Sequence, residues 1–184
     1  MASRPRLRCP HDRYPDFIAE GIDCAIRVGH VDDPAVIAVP VAEVSRILVA
    51  ALAVIEEVDT DSVEAISRLP WLALRTFYHD SVELTHVEGG RSRRFSITPR
   101  VSTDNLTALR RLVISGFGVA IVPAWRVEED LAAGRLVQLV PLWQAAPLPV
   151  YLVYPYSRFV PPRLRRFIDL IRDQGSELTG MQRR

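Results

Sequence analysis

Apolar and polar positions alternate with a period of two from Ile22 to Val28, where Ile22, Cys24, Ile26 and Val28 are separated by Asp23, Ala25 and Arg27. That is the spacing of a half-buried strand, and Gly29 with the run His30 to Pro34 ends it in turn chemistry. Ala35 to Val41 and Val44 to Ala51 are two runs rich in Val, Ile and Leu, which predicts strands at the buried centre of a sheet covered on both faces. A cap at Asp61 or Ser62 opens a short helix through Leu69, and Pro70 stops it. Trp71 to Phe77 reads as a strand. Val82 to Val87 and Arg94 to Pro99 flank Glu88-Gly89-Gly90-Arg91-Ser92 as a hairpin.

The strongest helical period follows. Ile97 to Ser102 is extended, Asp104 stands at the N-cap, and Leu106, Leu109, Leu112 and Val113 form one stripe of a helix to about Ser115. Arg110 and Arg111 complement the dipole late in that helix, and Gly116 closes it. Phe117 to Val122 is expected to be a buried strand, and Pro123 to open a helix over Ala124 to Ala133 that Gly134 ends. Leu136 to Val140 and Val150 to Tyr154 predict two more strands. The last helix starts at Pro161-Pro162, carries Leu164, Phe167, Ile168 and Ile171 on one face, and ends at Gly175 before a frayed tail. Near the start, Asp16 to Glu20 suits one helical turn closed by Gly21. Strands and helices alternate throughout, so the class is α/β, with mostly parallel pairing expected.

Composition narrows the function classes. Of 184 residues 48% are hydrophobic and 24% charged, an ordinary globular balance. Arginine supplies all 23 basic residues against 22 acids, for a net charge of +1, so no basic excess marks a DNA-binding surface. The apolar run Ile47 to Ile55 is far short of the roughly 20 residues of a membrane span. Met1 to Arg8 has charge without an apolar stretch behind it, and the two cysteines are too few for a disulfide scaffold, so a reduced, cytoplasmic protein off the membrane is expected.

Candidate chemistry is sparse. His11, His30, His79 and His86 show no metal-ligand spacing, and Cys9-Pro10-His11 lacks the further ligands a site needs. Ser115-Gly116 lacks the preceding glycine of a nucleophile elbow. Glu128-Glu129-Asp130 suits a solvated helix start rather than acid–base work. Neither catalysis, metal nor cofactor is expected. Gly116-Phe117-Gly118 follows a helix and opens a strand, the reverse of a dinucleotide fingerprint, so Gly118 is read as a close approach of two backbones. Ser102-Thr103-Asp104-Asn105 lies where a strand enters a helix. There amides, hydroxyls and the positive end of the dipole suit a carboxylate or other small anion, unless Asp104 caps the helix and cancels that potential.

Several segments together resemble one family. Ala19-Glu20-Gly21-Ile22-Asp23-Cys24-Ala25-Ile26-Arg27-Val28-Gly29 resembles the "EG-D-AIR-G" strand of the effector-binding domain of LysR-type transcriptional regulators. Leu112 to Pro123 is similar to that family's "G-G-A-LP" segment, Asp130 to Val137 to its "dLA-GrLv" run, and Val150 to Pro155 with Arg163 to Leu170 to its closing strand and helix. The matches run in the family's order from about Phe17 to Ile171.

The resemblance implies an α/β, two-lobe, periplasmic-binding-protein-like (type 2) domain that holds a small-molecule effector in its inter-lobe cleft. Residues 17–51 and 149–174 would form lobe one with the hinge strands, residues 52–148 lobe two, residues 1–16 a poorly ordered remnant and residues 175–184 the tail. The implied ligand-binding residues are Val49, Ala50 and Ala51 on the outward crossing, Ser102, Thr103, Asp104 and Asn105 at the corner, and Gly118 and Val119. The family's helix-turn-helix and linker helix have no match, and Arg13-Tyr14-Pro15-Asp16 joins Phe17 almost directly, as if lobe one were incomplete. The expected protein is therefore a ligand sensor without direct DNA binding, able to pair with a second copy through its lobe surfaces. A solute-binding protein of the same fold, or a degenerate fragment, is the alternative.

Overall fold

The computed structural model describes Phe17 and residues 21–78, 80–157, 160–174 and 181–182. The Asp16–Glu20 turn, Cys9 to Asp16, His79 and the predicted disorder of residues 1–16 lie outside the described residues. The chain divides into two compact units, residues 1–44 with 148–184 (unit 1) and residues 45–147 (unit 2).

Unit 1 is built on strand pairing. Strand β1 (Ala25–Val28) runs antiparallel to the second half of a long strand, with Ala25 opposite Val153 and Val28 opposite Val150. Strand β2 (Val36–Ala50) is a single strand where two were expected. Residues Val36 to Val41 are at best half-buried and Pro40 is exposed, while burial on both faces begins only at Arg46. The proline sits at a solvated position, where a strand tolerates its missing N–H. The apolar stripe of the C-terminal helix buries Leu164 and Ile168 against Cys24, Leu152 and Tyr154, as the three-and-four spacing requires. Within the tail expected to fray, Met181 and Gln182 pair with Val44 and Glu43 of β2.

Unit 2 contains helix α1 (Val63–Ser67), capped by Ser62, then strand β3 (Trp71–Leu74), the hairpin β4 (Ser81–His86) and β5 (Ser92–Ser96), and strand β6 (Pro99–Thr103). Helix α2 (Leu106–Ile114), strand β7 (Ala120–Pro123), helix α3 (Glu128–Ala132) and strand β8 (Val137–Leu139) follow. Strand β9 (Trp143–Pro155) then enters unit 1, where α4 (Pro162–Gln174) and β10 (Met181–Gln182) end the chain's described elements. Strand β2 has β7 on one side (Arg46 opposite Pro123, Val49 opposite Ala120) and β8 on the other (Leu48 opposite Leu139). Leu48 and Ala50 point into one apolar cluster and Ile47, Val49 and Ala51 into another, so both faces of the sheet are covered.

Three expectations are corrected. The expected mostly parallel pairing does not hold: β3 with β6 and a bridge from Trp71 to Val119 are parallel, but β1 with β9, β2 with β7, β8 and β10, and β4 with β5 and β9 are antiparallel. A crossover helix yields a parallel pair, but here hairpins and the long strands β2 and β9 dominate. The helix over Ala124 to Ala133 is broken: Pro123 ends β7, Ala124–Arg126 is a 3-10 turn, and the fully buried Val127 separates it from α3. Phe117 is not part of a buried strand and stands 47% exposed.

Candidate functional site

The carboxyl ends of β3, β6 and β7 lie at one end of the unit 2 sheet, since Leu74 is opposite Thr103 and Trp71 is level with both Pro99 and Val119. Open α/β sheets present ligands outside those ends. The predicted site residues divide between the two ends.

Ser102, Thr103, Asp104 and Asn105 sit at the carboxyl end, where β6 turns into α2. The N-cap is Asn105, not Asp104: the extended Asn105 (φ −104°) accepts from the Ala108 amide through Oδ1 at 3.0 Å. Thr103 Oγ1 accepts from the Asn105 amide at 3.1 Å, which holds the turn one residue further on than expected. Asp104 instead faces Arg75 across 3.6 Å in an exposed pair, so its charge is offset by that neighbour rather than by the helix. The amides of Leu106 and Thr107 have no acceptor within the helix. The Thr107 hydroxyl accepts from Arg126 Nη2 at 3.1 Å, which brings a second cation to this end. The corner therefore gathers amides, the Thr103 hydroxyl and the guanidinium group of Arg126, with Arg75 already paired to Asp104. A hydroxyl that accepts from an amide still has its own proton to donate.

The other predicted residues lie toward the opposite end, because Val49 is opposite Ala120 at the amino end of β7. Val49, Ala50 and Val119 are fully buried in the two apolar clusters, and Ala51 is 7% exposed. Gly118 is buried, and a Cβ there would stand 2.2 Å from the Pro70 carbonyl oxygen. That glycine lets Val119 donate to the Pro70 carbonyl and accept from Leu72, each at 2.8 Å.

Two buried charged groups, Asp130 and Arg46, escape sequence reasoning. Asp130 was expected on a solvated face, yet it is fully buried and accepts from Arg110 Nε at 2.6 Å and Arg135 Nε at 2.8 Å. Burial pushes its carboxyl up, but the two guanidinium groups more than offset this and hold it below the usual carboxylate range. Arg46 is buried beside Tyr78 and Phe77, and donates from Nε to the Ala146 carbonyl at 2.8 Å. The signal for Arg46 was a lone cation within an apolar run. Asp130 had no such signal, because an acidic run at a helix start is normally solvated. Among the described residues no cluster of three metal-ligating side chains exists, and no helix is long and apolar enough to cross a membrane.

A family model described as the LysR substrate binding domain matches residues 9–176. The HTH-type transcriptional regulator PtxR of Pseudomonas aeruginosa is 27% identical over 165 residues, covering 88% of this chain and 52% of PtxR. The full-length structure of the Vibrio cholerae virulence activator AphB, described as a member of the LTTR family, is 26% identical with a TM-score of 0.67, covering 83% of this chain and 52% of AphB. The regulatory domain of CrgA, a LysR-type regulator of Neisseria meningitidis, shares the fold at 23% identity and a TM-score of 0.68, with 89% of this chain and 80% of that domain covered. The chain spans about half the length of the curated relatives it matches.

Proposed function

Because the chain belongs to the LysR substrate-binding-domain family, we propose that it senses a small organic anion at the β6–α2 corner, Ser102 to Asn105. Its fold is the type 2 periplasmic-binding-protein-like α/β fold, and it is a regulatory, effector-binding domain of LysR-type regulators. The observation that carries the anionic ligand is the meeting of the Leu106 and Thr107 amides, which have no acceptor within the helix, with Arg126 and the Thr103 hydroxyl. Asn105 caps through a neutral amide, so the helix end keeps its positive potential. Val49, Ala50 and Val119 are buried toward the other end of the sheet and enter this reading as core, not as side-chain contacts.

The reading makes the chain a sensor rather than an enzyme, with a cytoplasmic location that suits the regulators it resembles. The reading assigns no specific DNA contact to the final helix, where Arg163 pairs with Asp23 at 3.1 Å. A mobility shift is expected to show no sequence-dependent complex, and a specific complex at sub-micromolar protein would refute that part.

The direct test is a thermal-shift screen with acetate, pyruvate, succinate and benzoate against their uncharged amides. At least one acid should raise the melting temperature where its amide does not. Thr103→Val should weaken that acid about fivefold, and Thr103→Ser should restore it. Equal effects of acids and amides, or an unchanged affinity in Thr103→Val, would overturn the proposal.

A further inference from the structure

Arg46 and Tyr78 are each only 9% exposed, and both lie in unit 2 near the carboxyl end of β7, where Arg46 is opposite Pro123. The guanidinium carbon stands 5.2 Å from the Tyr78 ring and 5.8 Å from the Phe77 ring. Nε and Nη2 both donate to one acceptor, the Ala146 carbonyl. A guanidinium has five N–H donors, so most of its capacity is not used by the protein. Among the described residues Arg46 forms no ion pair, in contrast to Arg110 and Arg135, which share Asp130. A buried cation without a counter-charge is costly, and a fold that keeps one has a reason to look for an anion.

The second observation is independent. The Tyr78 hydroxyl is buried and has no hydrogen-bond partner. Burial pushes its pKa up to about 12, although nearby Arg46 works the other way, so it remains a protonated donor across the physiological range. The guanidinium offers donors only and carries a positive charge, and the adjacent phenol offers one more donor, which fits an oxygen anion. The planar fork of the guanidinium matches the two oxygens of a carboxylate.

We propose that Arg46 and Tyr78 form a second anion-binding point in unit 2, which takes a carboxylate on the Arg46 fork with a hydrogen bond from the Tyr78 hydroxyl. This point uses other side chains than the Ser102–Asn105 corner, and its argument does not depend on that corner. The bland role of Arg46, fastening the Ala146 carbonyl, involves only Nε and Nη2 and leaves the tyrosine hydroxyl unexplained.

The test is an amide and arginine Nε–Hε titration of the 15N-labelled chain with acetate, with inorganic phosphate as the second arm and ionic strength matched by chloride. Acetate should move the Arg46 Nε–Hε and Tyr78 amide signals saturably. Tyr78→Phe should weaken that binding about fivefold without lowering the melting temperature, since it only removes a buried, unpaired hydroxyl. Thr103→Val should leave this titration unchanged, which separates it from the corner site. No saturable shift at Arg46, an unchanged acetate affinity in Tyr78→Phe, or a response to phosphate alone would each overturn the assignment. Because the tyrosine variant keeps the ring, the outcome does not depend on whether an Arg46 variant folds.

Discussion

The two units bury charge in opposite ways. In unit 1 the ion pair of Arg163 with Asp23 lies at the surface, and one helix covers a small core of Cys24, Leu152, Tyr154, Leu164 and Ile168. Unit 2 covers both faces of its sheet, so polar groups within it lose water and need partners. Asp130 finds two arginines within the unit, whereas among the described residues Arg46 has only the Ala146 carbonyl and no counter-charge, and the Tyr78 hydroxyl has no partner. The exposed pairs, Arg163 with Asp23 in unit 1 and Arg68 with Glu64 in unit 2, therefore contribute little to stability, whereas the buried Asp130 of unit 2 needs its arginines.

The contrast breaks first at the charged pairs. Asp130→Ala should destabilise unit 2 by about 3 kcal/mol in chemical denaturation, because two cations lose their buried counter-charge. Asp23→Ala should cost less than about 1 kcal/mol, since its pair is exposed. The contribution of Asp130 also depends on pH. Its folded pKa lies below the ordinary 3.8, so the stabilisation is complete above that value and is lost as pH falls through the folded pKa. Equal sensitivity of wild type and Asp130→Ala to acid would contradict this.

Truncations in the two cores come next. Leu109→Ala, at a fully buried position between α2 and the sheet, should cost about 3 kcal/mol. Leu164→Ala removes a side chain that keeps 8% exposure over the smaller core, and should cost roughly 2 kcal/mol. Amide exchange in the unfragmented chain would show whether each loss stays within its own unit. Glycines sharpen the point further. Gly118→Ala drives a Cβ against the Pro70 carbonyl and should cost about 2 kcal/mol, whereas Gly21→Ala meets open space and carries only the penalty of its positive φ, about 1 kcal/mol.

These differences were unevenly legible in the sequence. The stripes of α2 and α4 were readable because three-and-four spacing reports one buried face directly. Strand β9 was expected only over Val150 to Tyr154, yet the strand begins at Trp143 and runs through Pro147 and Pro149. Asp104 and Asn105 are both good caps by composition, and only the Thr103 hydrogen bond to the Asn105 amide decides between them. The corner itself was visible as a strand-to-helix junction. Arg75 and Arg126 were not, because nothing in their spacing says that the fold returns them to that helix end.

The smallest expected effect tests that choice of cap. Asn105→Ala should cost about 1 kcal/mol, and Asp104→Ala should be close to neutral in a denaturation series. A larger loss for Asp104→Ala would return the cap to the residue that the sequence suggests.

The most direct test of a sensor whose anion sits on unit 2 is amide hydrogen exchange with and without the acid that gives the largest thermal shift. The account predicts added protection concentrated at residues 103–109, absent with the matching amide and reduced in Thr103→Val. Protection confined to residues 21–44 and 148–174, or identical with acid and amide, would contradict it.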